Sequence, residues 1–205
     1  MMKKTVLALA IAASGLLANP AFAQQATPWL IRARVLNMTP ANKSDPIGGV
    51  GEADRLSVAN KTFPELDLSY FFTPNIAAEL VVTYPQKHDV MLDGTTIGSF
   101  KHLPPTLMGQ YHFLPDSQID PYLGAGVNYT RISSVDLLGG TGGMERSSVG
   151  LALQAGLDFK IDKLWSINLD VKKVQIRSDI TVGGTKVSNA RVDPLLVSLG
   201  VGYRF

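Results

Sequence analysis

The carboxy-terminal segment Val197 to Phe205 (VSLGVGYRF) alternates without a break. Val197, Leu199, Val201, Tyr203 and Phe205 fall on one parity; Ser198, Gly200, Gly202 and Arg204 fall on the other. Side chains along a β-strand alternate between two faces, so this strand has one apolar face and one polar or small face. It must cover its apolar face on one side only. The rest of the chain decides whether the cover is a protein core or lipid.

The amino terminus points outward from the cytoplasm. Lys3 and Lys4 precede an apolar run from Val6 to Ala13, then Pro20 and Ala21-Phe22-Ala23. A basic head, a short apolar core and an A-x-A end predict a secretory signal peptide over residues 1–23, with a mature chain of residues 24–205. Its apolar core is too short to span a bilayer as a helix. The chain has 19 basic and 17 acidic residues, and removal of Lys3 and Lys4 leaves the mature part formally neutral. Nothing in that balance suggests nucleic acid as a partner. With no cysteine, neither a disulfide framework nor thiolate chemistry is available. At this length the default is one domain.

No later stretch reaches the ~18 apolar residues of a membrane helix. An exported chain of this kind can still span a membrane as a closed barrel, because closure pairs every backbone group and removes sheet edges. Eight period-two segments are present: Trp29–Leu36, Phe63–Phe72, Ile76–Tyr84, Leu103–Phe113, Pro121–Arg131, Ser148–Ile161, Leu164–Ile176 and Val192–Phe205. The predicted fold is all-β, an eight-stranded antiparallel transmembrane β-barrel. Short connections at residues 73–75, 114–120 and 162–163 alternate with long ones at 38–62, 85–102, 132–147 and 177–191. Short periplasmic turns and long external loops are the outer-membrane pattern. That topology places Trp29, Tyr70, Phe72, Tyr111, Phe113, Phe159, Trp165, Tyr203 and Phe205 outward at the periplasmic rim, an interfacial girdle. Tyr84 and Tyr129 make a thinner upper one.

The other parity fills the lumen. Its lower and middle part holds Arg32, Arg34, Glu65, Asp67, Glu79, Asp158, Lys160 and Asp170, with Gln110, His112, Gln154, Asn168, Lys172 and Arg204 beside them. Buried charges need partners, so these residues are expected to form a polar plug. Higher up the same parity yields Leu36, Met38, Phe63 and Val81, then Met108, Val174, Ile176 and Leu196. An apolar funnel lined by these residues and open to the outside suits a hydrophobic ligand; a packed apolar plug, or a parity slip near Lys172-Lys173, is the competing reading. Pro104 and Pro105 lack N–H donors and so weaken a ladder. They mark a candidate lateral opening in the wall, or only the start of a strand.

Other chemistries find little support. His88, His102 and His112 are the only histidines, and no two share a ligand spacing, so neither a metal nor a cofactor is implied. His88-Asp89 reads as a solvated pair in a loop, and His112 as a hydrogen-bonded residue of the barrel floor. The run Gly139 to Gly143 lacks the Gly-Lys-Ser/Thr ending of a phosphate loop. No enzymatic activity is expected.

The stretches HLPPTLMGQYHF (102–113), PYLGAGVNYT (121–130) and DPLLVSLGVGYRF (193–205) resemble the OmpW family of outer-membrane proteins. The resemblance covers most of the mature chain; the second and fourth external loops match less well. It implies an eight-stranded barrel with a hydrophobic channel, passive uptake of small hydrophobic molecules, and lateral exit near a proline that falls on Pro104 or Pro105. The expected partners are outer-membrane lipid and lipopolysaccharide, small hydrophobic solutes, and the barrel-assembly machinery, which would read Tyr203 and Phe205 as an assembly signal. A structural or adhesive barrel without transport is the alternative.

Overall fold

The computed structural model describes residues 27–205; the expected signal peptide lies outside the described residues. Fifteen strands follow in order: β1 (Trp29–Thr39), β2 (Lys43–Ser44), β3 (Leu56–Val58), β4 (Lys61–Phe71), β5 (Ile76–Val82), β6 (Gln86–Leu92), β7 (Thr95–Leu103), β8 (Thr106–His112), β9 (Ile119–Leu137), β10 (Gly142–Met144), β11 (Ser147–Lys160), β12 (Trp165–Val174), β13 (Arg177–Val182), β14 (Thr185–Arg191) and β15 (Leu195–Arg204).

Eight of them close a barrel. Antiparallel pairing runs β1–β4–β5–β8–β9–β11–β12–β15 and returns to β1, with Leu30 opposite Arg204 and Thr39 opposite Leu195 in the closing ladder. These are the eight segments expected, with shifted ends. Closure satisfies the backbone without water, the requirement lipid imposes. Burial alternates residue by residue along β1, β8 and β12. Outward parity carries exposed Leu66, Leu80, Leu107, Leu123, Leu153, Leu169 and Leu199. So many exposed leucines on one surface would be a liability in water and are the norm against acyl chains. At the periplasmic rim the aromatics touch: Trp29 and Tyr70 at 4.8 Å between centroids, Tyr111 and Phe113 at 5.1 Å, Trp165 and Tyr203 at 4.8 Å. No slip occurs at Lys172-Lys173, since Leu153 opposes Lys173 and Ala152 opposes Val174 in an unbroken register.

The long connections are not loops. β3 pairs with β6, β6 with β7, β7 with β9, β10 with β9 and β13, and β14 with β13 and β2. They extend the barrel wall outward and enclose a second apolar core of Leu56, Val58, Val90, Phe100, Ile132, Leu137 and Ile180. Two tight turns set this up. Asp93 and Gly94 both have positive φ (50° and 80°), as do Gly183 and Gly184 (57° and 81°). Paired positive φ values match the twist of hairpin strands, and Asp-Gly and Gly-Gly are the dipeptides that adopt them cheaply.

Candidate functional site

In the outer half of the barrel Leu36, Met38, Phe63, Val81, Val174, Ile176 and Leu196 border one apolar cavity, together with Thr83, His102, Pro104, Thr106, Asn128 and Pro194. All seven come from inward positions of β1, β4, β5, β12, β15 and the β12–β13 link. Met108 is buried too, but packs with Val81, Ala152, Val174, Ile176 and Val192 instead of bordering the space. The Thr83 hydroxyl is buried without a hydrogen-bond partner.

The cavity floor is charged. Lys172 Nζ lies 2.7 Å from Glu65 Oε1 and 2.9 Å from Asp170 Oδ1. Below it, Arg34 reaches Glu65 (3.3 Å), Asp67 (3.2 Å), Glu79 (3.3 Å) and Asp170 (3.6 Å). Arg32 donates to Glu79 at 2.8 Å and to Asp158 at 2.6 Å. Five carboxylates thus share three cations, and Gln154 Nε2 adds donors to Glu79 (2.9 Å) and Asp170 (2.7 Å). Side chains here are almost completely removed from solvent, so each ion depends on these partners. The network fills the section of the barrel between cavity and periplasm.

Two members of the expected plug stand apart, and one residue was missed. Lys160 is half-buried at the periplasmic end, where it bonds the Pro115 carbonyl and lines a separate polar recess with Arg204, Asp120 and Ser166. Arg204 stacks over the Phe71 ring at 4.1 Å. Neither cation forms an ion pair with the network, although Asp158 borders the same recess. The missed residue is Tyr122. Its hydroxyl donates to Asp170 (2.8 Å) and accepts from Asn168 Nδ2 (3.0 Å). Gly156, directly opposite, makes room: a Cβ there would fall 2.2 Å from the Tyr122 ring. A tyrosine on the inward parity facing a glycine was the available sign.

The cavity roof corrects the reading of His88 as a solvated loop residue. His88 and Asp89 point to opposite faces of β6; His88 is buried and stacks on His102 at 4.7 Å and 4°. Phe100 lies against both. The reason is the β6–β7 hairpin, which turns alternate residues of a supposed loop inward. Burial, with help from Lys61, pushes the His88 pKa down to about 4; burial and His88 push His102 down to about 3. Both rings are therefore neutral at pH 7. Unfolded histidine titrates near 6.5, so below that pH the unfolded chain binds protons that the folded roof rejects, and stability falls as pH drops toward 4. Acidification to pH 4.5 is expected to loosen the β6–β7 hairpin before the barrel, read as faster amide exchange there. In the double variant His88→Gln, His102→Gln that pH dependence should be largely lost; an unchanged profile would assign it elsewhere.

The wall at Pro104-Pro105 is closed on one side. Tyr129 N–H donates to the Pro105 carbonyl at 3.0 Å, and Asn128 Nδ2 donates to the Pro104 and Pro105 carbonyls at 3.2 and 3.3 Å. On the other side the β5–β8 ladder stops at Val81 opposite Thr106, and the β4–β5 ladder stops at Leu66 opposite Val82. Thr83 to Pro85 have no ladder partner. At the floor, His112 Nδ1 lies 2.9 Å from Asp120. Among the described residues no group of three or more His, Asp or Glu is arranged to hold a metal.

The model of the OmpW family matches residues 25–205. The uncharacterized outer-membrane protein y4mB of Sinorhizobium fredii is 41% identical over 186 residues, covering 87% of this chain and 80% of that protein. Outer membrane protein W of Escherichia coli is 34% identical over 216 residues, covering 100% of both. The dibenzothiophene metabolism operon protein PahQ of Pseudomonas aeruginosa is 27% identical over 201 residues, covering 92% of this chain and 93% of that one. Among solved structures, the outer membrane protein OprG from Pseudomonas aeruginosa superimposes with a TM-score of 0.77 at 28% identity, covering 88% of this chain and 97% of that one.

Proposed function

Because the chain belongs to the OmpW family and is an eight-stranded barrel of the Gram-negative outer membrane, we propose that it is a passive conduit for small hydrophobic molecules. The supporting observation is the pairing of an apolar cavity with a charged floor. A solute that reaches the space between Phe63, Val81, Ile176 and Leu196 meets apolar side chains, while the ion network beneath offers it no continuation. Driving an apolar molecule through that network would separate buried ions, at several kcal/mol each. The wall is the easier way out.

The lateral route runs where ladder bonds are absent, between Thr83–Pro85 and Leu103–Pro105. Prolines on both borders cannot supply the missing donors. Solute would pass from the cavity into the outer leaflet and never cross the charged section. The relative named for a dibenzothiophene metabolism operon suggests fused aromatic or similarly apolar solutes as the first to try.

Mature protein in liposomes should speed entry of a small fluorescent aromatic above the rate of empty vesicles, with little ion conductance. Uptake at the empty-vesicle rate would remove the transport reading and leave a structural barrel. Pro104→Ala restores a donor on the strand edge that faces the gap and is expected to slow uptake severalfold with the barrel intact. An unchanged rate would place the exit elsewhere.

A further inference from the structure

Cations on the outside of the barrel divide into two groups. Lys43, Arg55, Arg177, Lys186 and Arg191, all in the extracellular part, each pair with an aspartate. Lys87, Lys101, Arg131, Arg146, Lys163 and Lys173 do not: among the described residues no carboxylate lies within ion-pair distance of them, and the first three stand together. All three are exposed and belong to adjacent strands β6, β7 and β9. Lys87 sits directly opposite Lys101, and Arg131, opposite Leu103, is the diagonal neighbour of Lys101. Directly opposed residues hold their Cβ atoms about 5 Å apart, and like charges in that position repel. Nearby acids do not relieve this. Asp89 and Asp136 flank Ser99, one row farther from the membrane.

The height of the cluster is defined by its neighbours. Tyr129, two residues before Arg131 on the same face of β9, and Tyr84, just before β6, form the upper aromatic girdle. Lys87, Lys101 and Arg131 therefore project at headgroup level on the external side, immediately above the acyl chains. We infer that this three-strand patch is a docking site for the phosphate groups of the phosphorylated glycolipid that forms the outer leaflet. Three convergent cations on a rigid sheet, one of them an arginine able to fork onto phosphate, match a multiply charged headgroup. A bound phosphate would turn the Lys87–Lys101 repulsion into a shared attraction. The inference is independent of the transport reading and survives its failure.

The test uses folded mature protein in detergent and two probes, diphosphoryl lipid A and the same lipid with both phosphates removed. Native mass spectrometry counts retained lipid, and the heat-dependent gel shift of the barrel reports folding. Wild type should retain the phosphorylated lipid at least tenfold better than the dephosphorylated one. Lys101→Gln, Arg131→Gln should lose roughly tenfold of that preference, while Lys163→Gln in a periplasmic turn should keep it. Without lipid the double variant should melt no lower than wild type, because a repulsion has been removed. If it does not fold, Lys87→Gln alone carries the test with the same expected direction. Equal retention by variant and wild type, or no preference for phosphate in wild type, would overturn the site. Equal retention of phosphatidylglycerol would overturn its assignment to the glycolipid.

Discussion

Arg32→Ala is expected to destabilise the barrel by about 3–5 kcal/mol, the range for removing one member of a buried ion cluster. Arg32 is fully buried and is the bond between Glu79 on β5 and Asp158 on β11, strands on different sides of the lumen. Its Nη1 also donates to Ser69 Oγ at 2.9 Å. Without it Asp158 keeps only Asn168 as a close side-chain donor, at 2.8 Å, and Glu79 keeps Arg34 and Gln154. The loss is therefore mostly the cost of a carboxylate stranded in a dry interior. Urea unfolding in micelles, followed by tryptophan fluorescence, measures it. The combined variant Arg32→Ala, Asp158→Asn should cost less than the sum of the two single changes, because the stranded charge goes with its partner. A loss under about 1 kcal/mol for Arg32→Ala would mean water reaches the network and the floor is not sealed.

Leu80→Arg should cost about 2–4 kcal/mol, the penalty for a guanidinium facing lipid near the bilayer midplane. Leu80 is exposed on β5, opposite Leu68 on one side and Leu107 on the other. Those neighbours are apolar and exposed as well, so an arginine there finds no carboxylate across the sheet. The same change at Val149, close to the upper rim beside Tyr129, should cost no more than about 1 kcal/mol, since the penalty fades toward the interface. Equal effects at the two depths would contradict the placement of the bilayer. Both measurements belong in lipid, where the reference state is the one the argument uses.

Legibility followed the regularity of the alternation. Where parity ran unbroken, as in Val197–Phe205 or Trp165–Val174, inward and outward residues could be named one by one. Arg32, Arg34, Glu65, Asp67, Glu79, Asp158 and Asp170 all lie in the charged network. Lys160 followed the same parity but stands apart from the network, because alternation says which way a side chain points and little about which carboxylates it can reach. Tyr122 was passed over, as its parity was not weighed.

The extracellular strands were read as loops for a different reason. Their alternation is short and interrupted by bulges at Val90/Met91, Ile180/Thr181 and Ser99/Lys101, and each bulge resets the parity. The Asp93-Gly94 and Gly183-Gly184 turns were visible signals that outweigh composition in such segments. His88 shows the consequence, since a residue assigned to solvent turned out to be part of the cavity roof.

Sequence by itself determined the membrane-facing wall, the number of barrel strands and the polarity of the lumen, because a period of two converts directly into facing and because lipid permits only a closed sheet. Tertiary structure alone decided which buried ions meet, where the ladders stop around Thr83–Pro85, and that the outer segments fold into a roof. Those features depend on register between strands far apart in the chain, and on side-chain reach across the lumen, neither of which a local pattern records.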